Sequence, residues 1–343
     1  MPSCVDTGVI RTLSLLDRSR VREGHPASRA LRDTVDLARA AEELGYRRFW
    51  VSEHHSVPGV AGSAPTVLAA AVAAATRRIR VGTGGVMLPN HRPMVVAEQF
   101  GVLESLFPGR IDMGVGRSVG FTDGIRRALG RDLGDADRFE EQLAELLGWL
   151  DGTQQAHPQV HAHPAEGLRT PVYVLATGEG AGIAARAGLP LVVGDLRTRD
   201  RLGAAVAAYR REFRPSALAP EPYVVVSGTV AVAATEQEAR RILVPEAWAL
   251  AQSRVRGSFP PLRPAEGVEA LPMTAKEREL YEAALTGHVH GTEEQVAAQL
   301  SEVAALTGAD ELLVTTSTYD RTALLDSFTR LARLAGLPRA TTP

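Results

Sequence analysis

The sequence predicts an α/β fold, a (β/α)8 TIM barrel, on three observations. Short β-branched runs alternate with longer helical stretches, and eight such runs recur along the 343 residues. Each run is apolar almost throughout rather than alternating, as strands of a helix-covered parallel sheet are. Residues 1–343 fit one barrel domain, because such barrels routinely run past about 250 residues without splitting. An open doubly wound sheet is the competing arrangement.

In chain order, residues 9–15 form the first strand and 28–44 the first helix, closed by Gly45. Residues 48–52 follow as strand two, and 65–76 as an alanine-rich helix with Pro65 in its first turn. Strand three covers 79–86, and the helix at 93–106 again starts on a proline. Strands at 111–115, 172–176 and 191–193 alternate with helices at 137–150, 180–187 and 199–213. A long apolar run at 223–232 is strand seven, and 236–253 is the helix after it. The last unit is a helix at 292–306, a strand at 311–315 and a helix at 319–334. Thr292 and Gln295 have the spacing of a capping box, and Gly308 follows the helix end. One stretch breaks the rhythm, 254–290, where "GSFPPLRPAEGVEALP" precedes a helical segment at 274–285. An irregular insertion before the last helix–strand unit reads as a mobile lid, with a passive surface insertion as the alternative.

Composition sets limits on function. The chain is 45% hydrophobic and 23% charged with a net charge of −2. No apolar run approaches the roughly 18 residues that span a bilayer. No basic block suggests a nucleic-acid partner, and the first residues lack a secretory pattern, so a cytoplasmic protein is expected. The single cysteine, Cys4, forms no internal disulfide and has no neighbour that would activate it.

Barrel enzymes build their sites where strands end at the C-terminal face. Strand one ends in Asp17, and strand two in Ser52, Glu53, His54 and His55. Strand three runs through Thr83, Gly84 and Gly85. Strand four ends in "GVGRS", with Gly116 and Arg117, and strand five in "ATGEG", with Ala176, Thr177 and Gly178. Arg117 and the amides of "TGEGAG" ahead of a helix suit an anion such as phosphate. Plain βα turns are the bland account of the same glycines. "GVGRSVG" lacks the dinucleotide spacing G-x-G-x-x-G, which argues against a Rossmann site.

Adjacent residues of an extended chain point to opposite sides, which argues against one metal shared by His54 and His55. A working imidazole and purely structural hydrogen bonding both remain open for the pair. Glu53 is placed to orient a ring and tune its pKa. His161 and His163 in "HPQVHAHP" share a face, which a metal could use, but a solvated hairpin is the expectation.

Four segments together resemble the bacterial luciferase-like flavin monooxygenases over nearly the full chain: "RFWVSEHH", "RVGTGGVMLPNHRPMVVAEQFGVLESLFPGRIDMGVGR", "PVYVLATGEGAGIAARAGLPLV" and "HGTEEQVAAQLSEVAALTGADELLV". The resemblance implies a (β/α)8 barrel using reduced FMN or, in some branches, the deazaflavin F420. It implies that His54 is the acid/base beside the flavin, with Glu53 the carboxylate before it. Gly84 and Gly85 would share a non-prolyl cis peptide under the ring system. Arg117 and Arg138 would hold the FMN phosphate, with Gly178 and Ala181 as further donors. Thr83, Gly116, Ala176 and Thr177 complete the expected cofactor-binding set. Gly116 stands where light-emitting members carry a reactive cysteine, and Thr177 where they carry a glutamate. The first departure counts against luciferase-type aldehyde oxidation.

The implied reaction is oxygenation of a small organic substrate through a C4a-peroxyflavin, with reduced FMN supplied by a separate NAD(P)H:flavin reductase. An F420-dependent oxidoreductase and a non-catalytic flavin-binding partner subunit are the alternatives. The resemblance also implies a homodimer packed through the second and third helices.

Overall fold

The computed structural model describes residues 10–176, 180–194 and 196–338. Its elements run β1 (Leu13–Asp17), α1 (Ala27–Glu43), β2 (Arg48–Val51), α2 (Pro65–Ala75), β3 (Arg80–Thr83), β4 (Val86–Met87), α3 (Pro93–Leu106) and β5 (Ile111–Gly116). Next come α4 (Asp123–Ala128), α5 (Phe139–Asp151), β6 (Val172–Ala176), α6 (Gly180–Ala187), β7 (Leu191–Gly194), α7 (Arg199–Glu212), β8 (Val224–Gly228) and β9 (Val230–Val232). The chain continues through α8 (Glu236–Arg256), α9 (Ala265–Glu269), α10 (Ala275–Leu285), β10 (Val289–Gly291), α11 (Glu293–Thr307), β11 (Glu311–Val314) and α12 (Arg321–Leu334).

Eight parallel strands lie in the order β3-β2-β1-β11-β8-β7-β6-β5. β3 then pairs with β5, Val81 opposite Ile111 and Gly82 opposite Asp112, which closes the barrel and excludes the open sheet. Side chains alternate across each strand. Leu13, Phe49, Val51, Val81, Met113 and Val174 face the helices in the main core, whereas Trp50, Tyr173, Val192, Val225 and Leu313 form a separate cluster with Leu16 and Leu175. Gly82 makes room first for the Asp112 backbone and then for the Trp50 indole, since a Cβ there would lie 2.3 Å from the Asp112 carbonyl oxygen and 2.9 Å from the indole nitrogen.

Near the strand N-termini the same inward positions carry charge. Arg48 bonds Asp112 at 2.8 Å and Glu311 at 2.7 and 2.9 Å, and also donates to the Tyr173 hydroxyl. Tyr223 and Ser14 donate to Glu311, Trp50 Nε1 to Asp112, and Arg80 to the other Asp112 oxygen. Two arginines and two carboxylates therefore balance. Burial alone would push the Arg48 pKa down, but Asp112 and Glu311 raise it and hold the group charged.

Three expectations need correction. The run 79–86 is two strands, β3 and β4, interrupted at Gly84–Gly85. The run 223–232 is two strands: β8 stays in the barrel, and after Thr229 β9 leaves it to pair in parallel with β10. The "HPQVHAHP" stretch is an irregular loop with a cis His163–Pro164 bond rather than a hairpin, and Ala162 within it and Ala165 directly after it are buried. Within 254–290 the expected helix is α10, which packs on α8 around Trp248, Tyr281 and Leu285. The Thr292 capping box and the proline starts of α2 and α3 are present. Among the described residues no helix is long and apolar enough to cross a membrane. Cys4, Thr177, Gly178 and Asp195 lie outside the described residues.

Candidate active site

β2 delivers its polar residues to the C-terminal rim in sequence order, and the structure gives them different partners. Glu53 is 4% exposed and accepts four hydrogen bonds. They come from the Met87 amide (2.9 Å), Asn90 Nδ2 (3.0 Å), His91 Nε2 (2.9 Å) and His55 Nε2 (2.8 Å). Burial works against its charge, but the bonds from His55 and His91 prevail and bring its pKa down to about 2. Glu53 therefore anchors the segment that follows Gly84–Gly85. The rings it orients are His55 and His91 rather than His54. His55, bonded to Glu53, has its pKa raised by that contact.

His54 is held differently. Its Nδ1 is 3.1 Å from Ser52 Oγ, and its backbone amide donates to the Gly62 carbonyl. Burial, then the positive charges of Arg18 and Arg20, lowers its pKa to about 4, against a smaller opposing effect of Glu246. The imidazole is neutral at pH 7.

Arg18, Arg20 and Glu246 were not singled out from the sequence. Glu246, on α8, takes Arg18 at 3.0 Å and Arg20 at 3.0 Å, and these two cations hold it ionised despite burial. Arg20 also donates to the carbonyls of Gly59 and Pro260 and lies 5.8 Å from the Phe259 ring centre. The Gly59 amide donates to the Phe259 carbonyl. Residues 257–264, the start of the insertion, are thereby tied to the loop that carries His54. Phe259 in turn meets Phe121 of the loop after β5, ring centres 6.1 Å apart.

The remaining expected residues divide by exposure. The Gly84–Gly85 peptide is cis. Thr83 is fully buried, and its hydroxyl is committed to the Gly114 carbonyl at 2.7 Å, locking β3 to β5. Gly116 is buried beside Met87. Ala176 is half-buried, and Ala181 is buried in the first turn of α6. Arg117 is exposed and pairs with no described residue. Arg138, at the N-cap of α5, has Glu141 near it at 3.7 Å, and its side chain is 65% exposed. Among the described residues no group of histidine, cysteine or acidic side chains could hold a metal. His161 stacks on His163 and bonds Glu166 at 2.7 Å.

A luciferase-like monooxygenase of Escherichia coli (strain K12) is 37% identical over 319 residues, spanning 92% of this chain and 94% of the relative. The structure of apo-MsnO8 matches with a TM-score of 0.86 and 31% identity, covering 97% of this chain and 99% of that one. A second structure shares the fold with a TM-score of 0.71 at 18% identity, covering 97% and 99% of the two chains. It is the oxygenating constituent of 3,6-diketocamphane monooxygenase from Pseudomonas putida, a type II Baeyer-Villiger enzyme in complex with FMN. The family description "luciferase-like monooxygenase" matches residues 12–311. By this match and by these relatives, the chain belongs to the luciferase-like monooxygenase family.

Proposed function

We propose that the protein is an FMN-dependent monooxygenase that oxygenates a small organic substrate with O2, its reduced FMN being delivered by a separate NAD(P)H:flavin reductase. The observation that carries this reading is the set of groups at one end of the barrel: a neutral His54, a side-chain-free Gly84–Gly85 backbone, and two little-committed guanidinium groups, Arg117 and Arg138. These residues fit FMN. Arg117 and Arg138 would take its phosphate through charge-assisted hydrogen bonds, and bare glycine backbone lets a planar ring approach closely. Bound reduced flavin supplies the activation of oxygen.

The chain's own residues supply position and proton control. Ser52 fixes His54 Nδ1, which leaves Nε2 to exchange a proton with the bound reactants. Glu53 is a positioning residue that holds 87–91 and, through them, the Gly84–Gly85 turn. The 257–264 segment, joined to Phe121 across the mouth, acts as the lid that keeps water out. The protein works as a homodimer through α2 and α3, whose outer faces expose Val67 (70%), Val95, Val102 and Leu106 (64%).

An anaerobic titration with reduced FMN and, separately, reduced F420 tests the cofactor, followed by mixing with oxygenated buffer. Tight binding of FMN and subsequent oxygen consumption are expected. Tight binding of F420 alone would overturn the assignment in favour of F420-dependent hydride transfer, and flavin binding with no oxygen consumption under any substrate would favour a non-catalytic flavin carrier.

A further inference from the structure

A cavity of about 120 Å³ opens between the loop after β1, the first turns of α1 and the start of α12. Its wall sets three guanidinium groups, Arg22, Arg29 and Arg321, against one carboxylate, Asp33, with the His25 and Tyr319 rings beside them. Asp33 is 5% exposed and meets all three: Arg29 Nε at 2.8 Å, Arg321 Nη1 at 3.1 Å and Arg22 Nη1 at 3.3 Å. Both of its oxygens are thereby taken.

The donors left over are open to solvent. Arg22, nearly buried, spends its other nitrogens on the Tyr319 and Thr318 carbonyls. Arg29 keeps Nη1 and Nη2, and Arg321 keeps Nε and Nη2, with no hydrogen bond to a described residue; the His25 ring makes none either. The two arginine side chains are 57% and 28% exposed, and the unpaired Arg321 nitrogens are not buried, so a solute reaches them. Nearby acids are committed elsewhere: Glu23 to Arg263, Asp36 to Arg39, and Asp320 to the first amides of α12. Asp17, bonded to Thr34 and the Ser19 amide, still acts on Arg22, and with it counted three cations face two anions. Arg20, the next cation, is held by Glu246. Burial and then the charge of Arg321 lower the Arg22 pKa, against Asp33 and Asp17, as crowded cations do.

We propose that this cavity is a phosphate site, in which the oxygens of inorganic phosphate or of a phosphomonoester accept from Arg29 and Arg321, with His25 as a third donor. Guanidinium groups arriving from two helices suit a tetrahedral oxyanion, which offers oxygens to both, better than a planar carboxylate, whose two oxygens fill one fork. At ~30 Å³ per water the space holds roughly four waters, enough for a phosphoryl group. The site lies away from the contacts proposed for FMN. Arg117 follows β5, and β2 and β3 stand between β1 and β5 one way round the barrel, while β8, β7 and β6 stand between β11 and β5 the other. Its occupancy does not depend on the cofactor that the barrel takes.

Calorimetric titration of the full chain carrying Arg117→Ala and Arg138→Ala, which removes the contacts proposed for FMN, measures the site alone. Inorganic phosphate should bind about tenfold or more tightly than acetate at matched ionic strength, because two charge-assisted contacts are at stake. Adding Arg29→Gln and Arg321→Gln should remove that difference, and the same Gln pair in the otherwise wild-type chain should leave FMN affinity unchanged. Phenyl phosphate binding as well as phosphate would mark a site open to the phosphoryl groups of organic ligands, and phosphate alone a site for the free ion; either upholds the proposal. Should the Gln pair fail to fold, hydrogen exchange of the wild-type chain locates the ion: phosphate should slow exchange at 25–33 and 319–323. Equal affinity for phosphate and acetate, a phosphate affinity untouched by the Gln pair, or protection confined to other segments overturns the proposal. A loss of FMN affinity in the Gln pair would do so too, by placing the FMN phosphate in this cavity.

Discussion

Ser52 Oγ stands 3.1 Å from Nδ1 of His54, while the neighbouring His55 turns its Nε2 to Glu53 at 2.8 Å. Two adjacent histidines thus have opposite electrostatic fates, one pKa lowered to about 4 and the other raised. If a neutral His54 carries the proton chemistry, turnover should stay level from pH 8 to about pH 5 and fall only below it. An unperturbed histidine would instead show a break near 6.5. The stability effect has a wider window, set by both the folded and the unfolded pKa. The folded value lies below the unfolded one, so the unfolded chain takes the proton first, and the contribution is complete above about pH 6.5 and lost as pH falls toward 4. His54→Ala should keep FMN affinity and slow turnover at least tenfold. A turnover break near pH 6.5 in the wild type, or an unchanged rate in the variant, contradicts the assignment.

Glu53→Gln tests the carboxylate as an anchor. The amide would present its own N–H groups to a cluster of four donors, so a loss of about 2 to 4 kcal/mol at pH 7 is expected from broken charge-assisted bonds. Because the folded pKa of Glu53 is about 2, below the ordinary 4.5, its contribution is present above pH 4.5 and fades as pH falls toward 2. Urea unfolding of the two proteins should therefore differ most at neutral pH and converge in acid.

Arg117→Ala and Arg138→Ala should each weaken FMN binding by about 1 to 3 kcal/mol, the worth of a charge-assisted contact to phosphate. Riboflavin, which lacks the phosphate, should bind equally to wild type and variants. A matching loss for riboflavin would mean that these side chains shape the ring pocket instead.

The barrel was legible because its signal is local: apolar strand runs, proline helix starts and a capping box each lie within a few adjacent residues. The break inside 223–232 was not, because Val230–Val232 is as apolar as Val224–Gly228 and only the partner strand β10, some sixty positions later, distinguishes them. The site shows the same division. His54, Glu53 and Arg117 stood out by their place after strands, whereas Arg138 was reached only through the family resemblance. What each is bonded to depends on contacts such as Glu53 with His91, 38 residues apart, and Arg20 with Glu246, 226 apart. Glu246 sits inside a helix with nothing local to mark it. Ser52 was in view beside the histidines, but a serine next to two imidazoles does not say which one it holds.

The α2–α3 face offers a test of assembly. Val67 and Leu106 are exposed on helices whose opposite sides pack on the barrel, so their exposure serves no contact within the chain. Light scattering should give a dimer for the wild type and a monomer for the Val67→Glu/Leu106→Glu pair, with the melting temperature of the barrel little changed at low protein concentration. A wild-type monomer at micromolar concentration would remove the dimer from the proposal.

The buried charges at the barrel floor give the last prediction, one about the scaffold and not the site. Arg48 is 1% exposed and neutralises Glu311 while sharing Asp112 with Arg80. Arg48→Met leaves the Glu311 side chain in the interior without its cation, with Ser14 and Tyr223 as its remaining donors among the described residues, and removal of one partner of a buried pair costs about 3 to 5 kcal/mol. The double variant Arg48→Met/Glu311→Met removes both charges and leaves Asp112 paired with Arg80, so it should recover at least about 1 kcal/mol of that loss despite two orphaned hydroxyls. Urea midpoints of the three proteins measure the coupling. A double variant less stable than the single one would mean that the hydrogen bonds of Ser14 and Tyr223 to Glu311, rather than the ion pair, hold this end of the barrel together.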